Sequence, residues 1–190
     1  MSALTPEEKK TLLALARSSL EAVVRGAEIQ PIDPSALTPT LREHGAAFVT
    51  LTMRGDLRGC IGALEPYQPL AEDVREHAIA AGTQDFRFHP VRASELDQIE
   101  IEVSRLTIPV PLAYTDADDL LAKLRPHVDG VILKDGFRRA TFLPQVWEQL
   151  PDKKIFLNHL CEKMGASSSL WQTKKLDVLI YAVEEFRESR

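Results

Sequence analysis

The sequence predicts an α+β protein, a largely antiparallel sheet with packed helices, arranged as two lobes with a cleft between them. Three observations lead there. Ala46-Ala47-Phe48-Val49-Thr50-Leu51-Thr52 reads as a buried strand, followed by a turn at Arg54-Gly55-Asp56 and a return strand from Leu57. Ile99, Ile101 and Val103 alternate with Glu100, Glu102 and Ser104, the pattern of a half-buried antiparallel strand. A second turn, Lys134-Asp135-Gly136, joins the strand-like Gly130-Val131-Ile132-Leu133 to a return run from Phe137 to Phe142.

The remaining elements follow in chain order. Thr5-Pro6-Glu7-Glu8 opens a helix: Thr5 is the N-cap, Pro6 takes the first position and Glu8 completes a capping box. Leu12, Leu15, Ala16, Leu20, Val23 and Val24 supply its apolar stripe, and Gly26 ends it. The prolines of Gln30-Pro31-Ile32-Asp33-Pro34 exclude a regular helix, and a short helical turn is expected between Pro39 and His44. Pro69 to Gly82 reads as a second long helix with Leu70, Val74, Ala78 and Ala81 inward and Gly82 as its stop. Pro109 and Pro111 break the strand that starts at Ile99. Asp116 caps a helix over Ala117 to Leu124, Pro144 opens a short helix to Leu150, and Asp152 caps another that ends at Gly165. Gly165 to Ser169 reads as a loop. Leu176 to Phe186 closes the fold as one strand, on the alternation of Leu176, Val178, Ile180 and Ala182.

Composition narrows the function classes. A length of 190 residues fits one domain, here residues 1–190, with room for two subdomains. The net charge is −5, and the basic residues fall in scattered pairs such as Arg138-Arg139 and Lys174-Lys175. Phosphate-backbone binders concentrate positive charge on one face, so nucleic acid is not an expected partner. Met1 to Lys10 lacks the apolar core of a signal peptide, and no stretch approaches the roughly 20 apolar residues of a membrane span. A cytoplasmic protein with free thiols at Cys60 and Cys161 is the expectation. No metal site is expected: His44, His77, His89, His127 and His159 form no HxxH or HExxH pattern. No cofactor is expected either.

The stretch with the most chemistry is Leu57-Arg58-Gly59-Cys60-Ile61-Gly62. Strict alternation along a strand puts Arg58, Cys60 and Gly62 on one face, with Arg58 and Cys60 about 7 Å apart. A nearby guanidinium favours the thiolate, the reactive form of cysteine. Set against that, a cysteine among apolar residues is commonly an inert, buried small hydrophobe. Gly59 and Gly62 weaken a strand unless something must approach the backbone closely. Arg58 needs a partner, either Glu102 or Asp85 or an anionic ligand gripped by its fork, and Glu102 is the preferred protein partner. Asp85 and Arg87 lie in a loop with Phe86 and Phe88, where they either bind a ligand or staple the loop by hydrogen bonds. Trp147 and Trp171 read as core, ahead of the alternative that they mark a surface for a partner.

The LRGCIG run, followed by Leu64, Pro66 and Pro69-Leu70, resembles the signature of the AMMECR domain family, whose prokaryotic members are called AmmeMemoRadiSam system protein A. The resemblance continues through Asp85-Phe86-Arg87-Phe88, Ile101-Glu102-Val103-Ser104 and Thr141-Phe142-Leu143-Pro144-Gln145-Val146-Trp147. It implies a sheet-based core with helices around it, and the recurrence of IEVS raises Glu102 and Ser104 above Glu100. The family name implies association with a Memo-like protein and a radical SAM protein. A radical SAM role for this chain is itself excluded, since three clustered cysteines are lacking. Two hypotheses result. One is small-molecule binding or thiol-dependent activity in a cleft around Leu57 to Gly62, with Cys60, Arg58 and Glu102 as catalytic candidates and Gly59, Gly62, Asp85, Arg87 and Ser104 as binding candidates. The other is a non-catalytic interaction module or accessory subunit.

Overall fold

The computed structural model describes residues 3–188, and the chain divides into two compact units. The first runs to Leu106 and resumes at Glu184; the second is Thr107–Val183. Both units are α+β, each with its own antiparallel sheet and its own buried cluster.

In the first unit, helix α1 spans Pro6–Arg25. Its predicted capping box is present: Thr5 Oγ1 accepts the Glu8 amide, and Glu8 Oε2 accepts the Thr5 amide at 2.9 Å. Gly26, with φ of +67°, ends it in the left-handed region that glycine enters freely. The single turn α2 (Pro39–Arg42) precedes strands β1 (His44–Met53) and β2 (Asp56–Gly62), which form a hairpin through Arg54 and Gly55. Both loop residues have positive φ, as a two-residue turn matched to the strand twist requires. After the two-residue β3 (Gln68–Pro69) come helix α3 (Leu70–Thr83) and strand β4 (Ile99–Leu106).

The sheet order is β2-β1-β4-β9, where β9 is Val183–Arg187. Ala47, Val49, Leu51, Ile101 and Val103 point to the side covered by α1 and α3, where they are fully buried with Leu12, Ala16, Leu20, Val74 and Ala78. Gly82 does not stop α3, which runs on to Thr83. A Cβ at Gly82 would lie 2.3 Å from Leu20 Cδ1, so its small size serves the packing of α3 on α1.

The second unit contains β5 (Val110–Pro111), α4 (Ala117–Lys123), β6 (Gly130–Asp135), β7 (Arg138–Phe142), α5 (Val146–Gln149), α6 (Lys153–Lys163), α7 (Leu170–Thr173) and β8 (Asp177–Tyr181), with sheet order β5-β8-β6-β7. The predicted β6–β7 hairpin is there, with Gly136 at φ +59°. Trp147 is fully buried and stacks on Phe156 at 3.6 Å, and its indole N–H donates to the Asp129 carbonyl. Trp171 is also buried.

Two further expectations change. The tract after Gly165 is not all loop, because α7 forms at Leu170. The strand expected over Leu176 to Phe186 is two strands separated by Ala182: β8 belongs to the second sheet and β9 to the first. No described helix is long and apolar enough to cross a membrane.

Candidate functional site

The LRGCIG residues occupy β2, the outermost strand on one side of the first sheet. Leu51 pairs with Gly59 but Thr52 pairs with Leu57, so Arg58 is an extra residue with no counterpart on β1. This β-bulge is the physical reason that strict alternation fails at one step, since a bulged residue re-aims its side chain. The arginine and the cysteine therefore enter different surroundings.

Cys60 pairs with Thr50, which on its other side pairs with Glu102, giving a row across three strands on the face away from α1 and α3. Thr50 Oγ1 donates to Cys60 Sγ at 3.3 Å, and the cysteine is half-buried. The adjacent row is Gly62, Phe48 and Ser104, with Ser104 buried. One sheet face thus gathers Cys60, Gly62, Glu102 and Ser104. Both glycines are required by the protein's own packing. A Cβ at Gly59 would sit 2.2 Å from the Ala81 carbonyl oxygen of α3, and one at Gly62 would sit 2.4 Å from the Phe48 ring.

Arg58 pairs with neither Glu102 nor Asp85. Its guanidinium makes a two-pronged ion pair with Glu95, Nε to Oε1 at 2.9 Å and Nη2 to Oε2 at 3.0 Å. Glu95 Oε2 also accepts the Arg92 amide at 2.7 Å, reaching back three residues to cap the short 3-10 helix Ala93–Gln98. The Arg58 hydrogen bonds hold the Glu95 carboxyl below its ordinary value.

Asp85 and Arg87 do staple their loop, and they staple it to β2. The buried Asp85 accepts the Cys60 amide through Oδ2 at 2.9 Å, and Arg87 Nη2 donates to the Cys60 carbonyl at 3.2 Å. The two side chains also grip each other, Nε to Oδ1 at 2.9 Å and Nη2 to Oδ2 at 2.6 Å. Together they satisfy the backbone groups that an edge strand leaves bare. The Arg87 hydrogen bonds hold the Asp85 carboxyl well below the usual carboxylate range despite its burial, and Arg87 is raised in turn.

Between the 86–90 loop and the Arg58–Glu95 pair lies an open hollow of about 710 Å³. It is lined by Arg58, Arg87, Arg92, Glu95 and the rings of Phe86 and Phe88. Three arginines are among its lining residues, and Glu95 is the one acidic residue of the lining. Arg92 is exposed and makes no ion pair among the described residues. Phe86 is 95 % exposed. Sequence reasoning missed Glu95, Arg92 and Thr50. The cue for Glu95 was its position three residues after Arg92, the spacing of a reach-back cap. No group of three or more His, Cys, Asp or Glu able to hold a metal ion occurs among the described residues.

The AMMECR1 family model matches residues 13–186. A protein of Methanothermobacter thermautotrophicus is 38 % identical over 97 % of this chain and 96 % of its own length. Protein MK0488 of Methanopyrus kandleri is 37 % identical over 97 % of this chain and 90 % of its own. The crystal structure of uncharacterized protein PH0010 from Pyrococcus horikoshii superposes with a TM-score of 0.84 at 33 % identity, covering 98 % of this chain and 94 % of that one.

Proposed function

The chain belongs to the AMMECR1 family, and from that premise we propose that it binds a small anionic molecule in the hollow beside β2. One observation carries the reading: three arginines line a space whose lining holds a single acidic residue. Arg58 spends Nε and Nη2 on Glu95, and Arg87 spends the same atoms on Asp85 and Cys60, so each keeps the N–H groups of Nη1 for a ligand. Guanidinium forks of this kind suit carboxylate and phosphate oxygens. Glu95 and Asp85 then act as positioning residues that hold two cations in place before binding. The hollow is assembled wholly from the first unit.

The thiol reading rests on the neighbouring sheet face. Cys60, Thr50 and Glu102 lie in one row there, so a thiol, a hydroxyl and a carboxylate are side by side in the sheet. Cys60 supplies the backbone clamp for Asp85 and Arg87, which couples the row to the hollow.

A second reading, an interaction module serving a Memo-like protein and a radical SAM protein, is favoured by Phe86. A phenyl ring this bare beside arginines is the composition of an interface anchor. The discriminating experiment is native mass spectrometry of protein purified from its own cells, comparing wild type with Arg92→Ala and Phe86→Ala. Small-molecule binding predicts a bound anion lost in Arg92→Ala. The module reading predicts no bound anion and a partner protein lost in Phe86→Ala. Retention of the anion by both Arg92→Ala and Arg58→Ala sinks the binding proposal.

A further inference from the structure

The two outer strands of the first sheet are treated differently. On β2 the Asp85–Arg87 pair occupies backbone groups of Cys60. At the other end of the order stands β9, with no strand outside it among the described residues. Beside it a second hollow of about 710 Å³ runs between α1 and β9. Its floor is apolar, from Pro6, Leu13, Ala14 and Phe186. Its rim is cationic, from Lys9, Lys10, Arg17 and Arg187, against one lining carboxylate, Glu188.

Two of these cations are already committed: Lys9 pairs with Glu184 at 2.8 Å, and Arg17 pairs with Glu188. Lys10 and Arg187 are exposed and have no ion pair among the described residues. In a chain of net charge −5 this groove is a local reversal of sign. We propose that it receives an extended, acidic segment of a partner protein, which adds to the sheet as a strand beside β9. Main-chain hydrogen bonds to the edge supply affinity in this mode, and side chains on alternate positions enter the groove between strand and helix. Apolar side chains facing α1 meet Leu13 and Phe186 beside Lys10, while the alternate, acidic side chains share the face that Arg187 takes.

The test uses the full chain and a short capped peptide of alternating glutamate and valine, followed by amide chemical-shift mapping. Three companions accompany it: the same peptide with lysine for glutamate, the peptide N-methylated on alternate residues, and the protein variant Lys10→Glu/Arg187→Glu. Both substituted side chains are exposed, so the variant folds. The proposal expects shifts confined to β9 and the facing side of α1. It also expects affinity to fall at least about tenfold, roughly 1.4 kcal/mol, for each companion. Equal binding of the lysine peptide overturns the charge argument, and equal binding of the N-methylated peptide overturns strand addition. Shifts elsewhere, no binding at millimolar peptide, or self-association of the protein through this face overturn the proposal outright.

Discussion

Asp85 holds Cys60 by its main chain, with Oδ2 accepting the Cys60 amide at 2.9 Å, while the Cys60 side chain is left to Thr50. A side chain thus does for β2 what a neighbouring strand would do. The motif's central cysteine is consequently a fixed point of the backbone whatever its sulfur does.

That relationship gives a pH-dependent stability. Asp85→Asn is expected to cost about 2 kcal/mol at neutral pH, the scale of a charge-assisted hydrogen bond to a buried group. The folded Asp85 carboxyl is held below its unfolded value, so its contribution is complete above the unfolded value of about 4 and is lost as pH falls through the folded one. Urea unfolding of wild type and variant should therefore differ most at neutral pH and converge in acid. A difference that stays constant down to the acid limit contradicts the assignment. Arg87 is half-exposed, so Arg87→Lys should cost less.

Gly59→Ala should be severely destabilising, by about 3 kcal/mol, because the added methyl meets the Ala81 carbonyl of α3. Gly55→Ala is the control. Its added Cβ meets nothing within 4 Å, and its only penalty is the positive φ of +87°, about 1 kcal/mol. Thermal melts that rank the two the other way would show that α3 and β2 do not approach as described.

The two cysteines should separate in a thiol titration of the native protein. Cys60 is half-buried, whereas Cys161 is fully buried and its thiol is pushed up by burial. One equivalent is expected to react before unfolding and the second only after it, with mass spectrometry placing the first at Cys60. Thiol chemistry at Cys60 further requires that its rate exceed that of a free thiol of ordinary pKa. A slower rate removes it from consideration as a nucleophile.

Tyr181 offers an alkaline counterpart in the second unit. Burial pushes its phenol up to about 12, while Thr141 shares a 3.0 Å hydroxyl–hydroxyl bond with it. A phenol raised on folding stabilises the native state fully below its unfolded value of about 10. That contribution is lost as pH rises towards 12. Ultraviolet titration of the three tyrosines should show one ionising last, and Tyr181→Phe should abolish that step.

The fold was legible wherever one residue type dictates one geometry. The capping box of Thr5 and Glu8 and the alternation from Ile99 to Val103 appear as read, and the turn read over Arg54-Gly55-Asp56 forms at Arg54 and Gly55 with Asp56 already in β2. The LRGCIG resemblance likewise identified the family. What escaped depends on neighbours distant in sequence. Gly82 looks like a helix stop until Leu20 is known to rest against it. The alternation that starts at Leu176 keeps its phase through Ala182 to Phe186, so it does not mark the change of sheet at Ala182. In the site, the Cys60–Glu102 face was readable from register, but the Arg58–Glu95 pair was hidden by a bulge that leaves no composition signal.

The return of the chain to its first sheet has a consequence for synthesis on the ribosome. Arg17 near the start is bound to Glu188 near the end, and β9 takes its place beside β4 only after Thr107–Val183 has been made. The amino-terminal part of the first unit must therefore wait, with one flank of its sheet uncovered, until Val183–Arg187 has been translated.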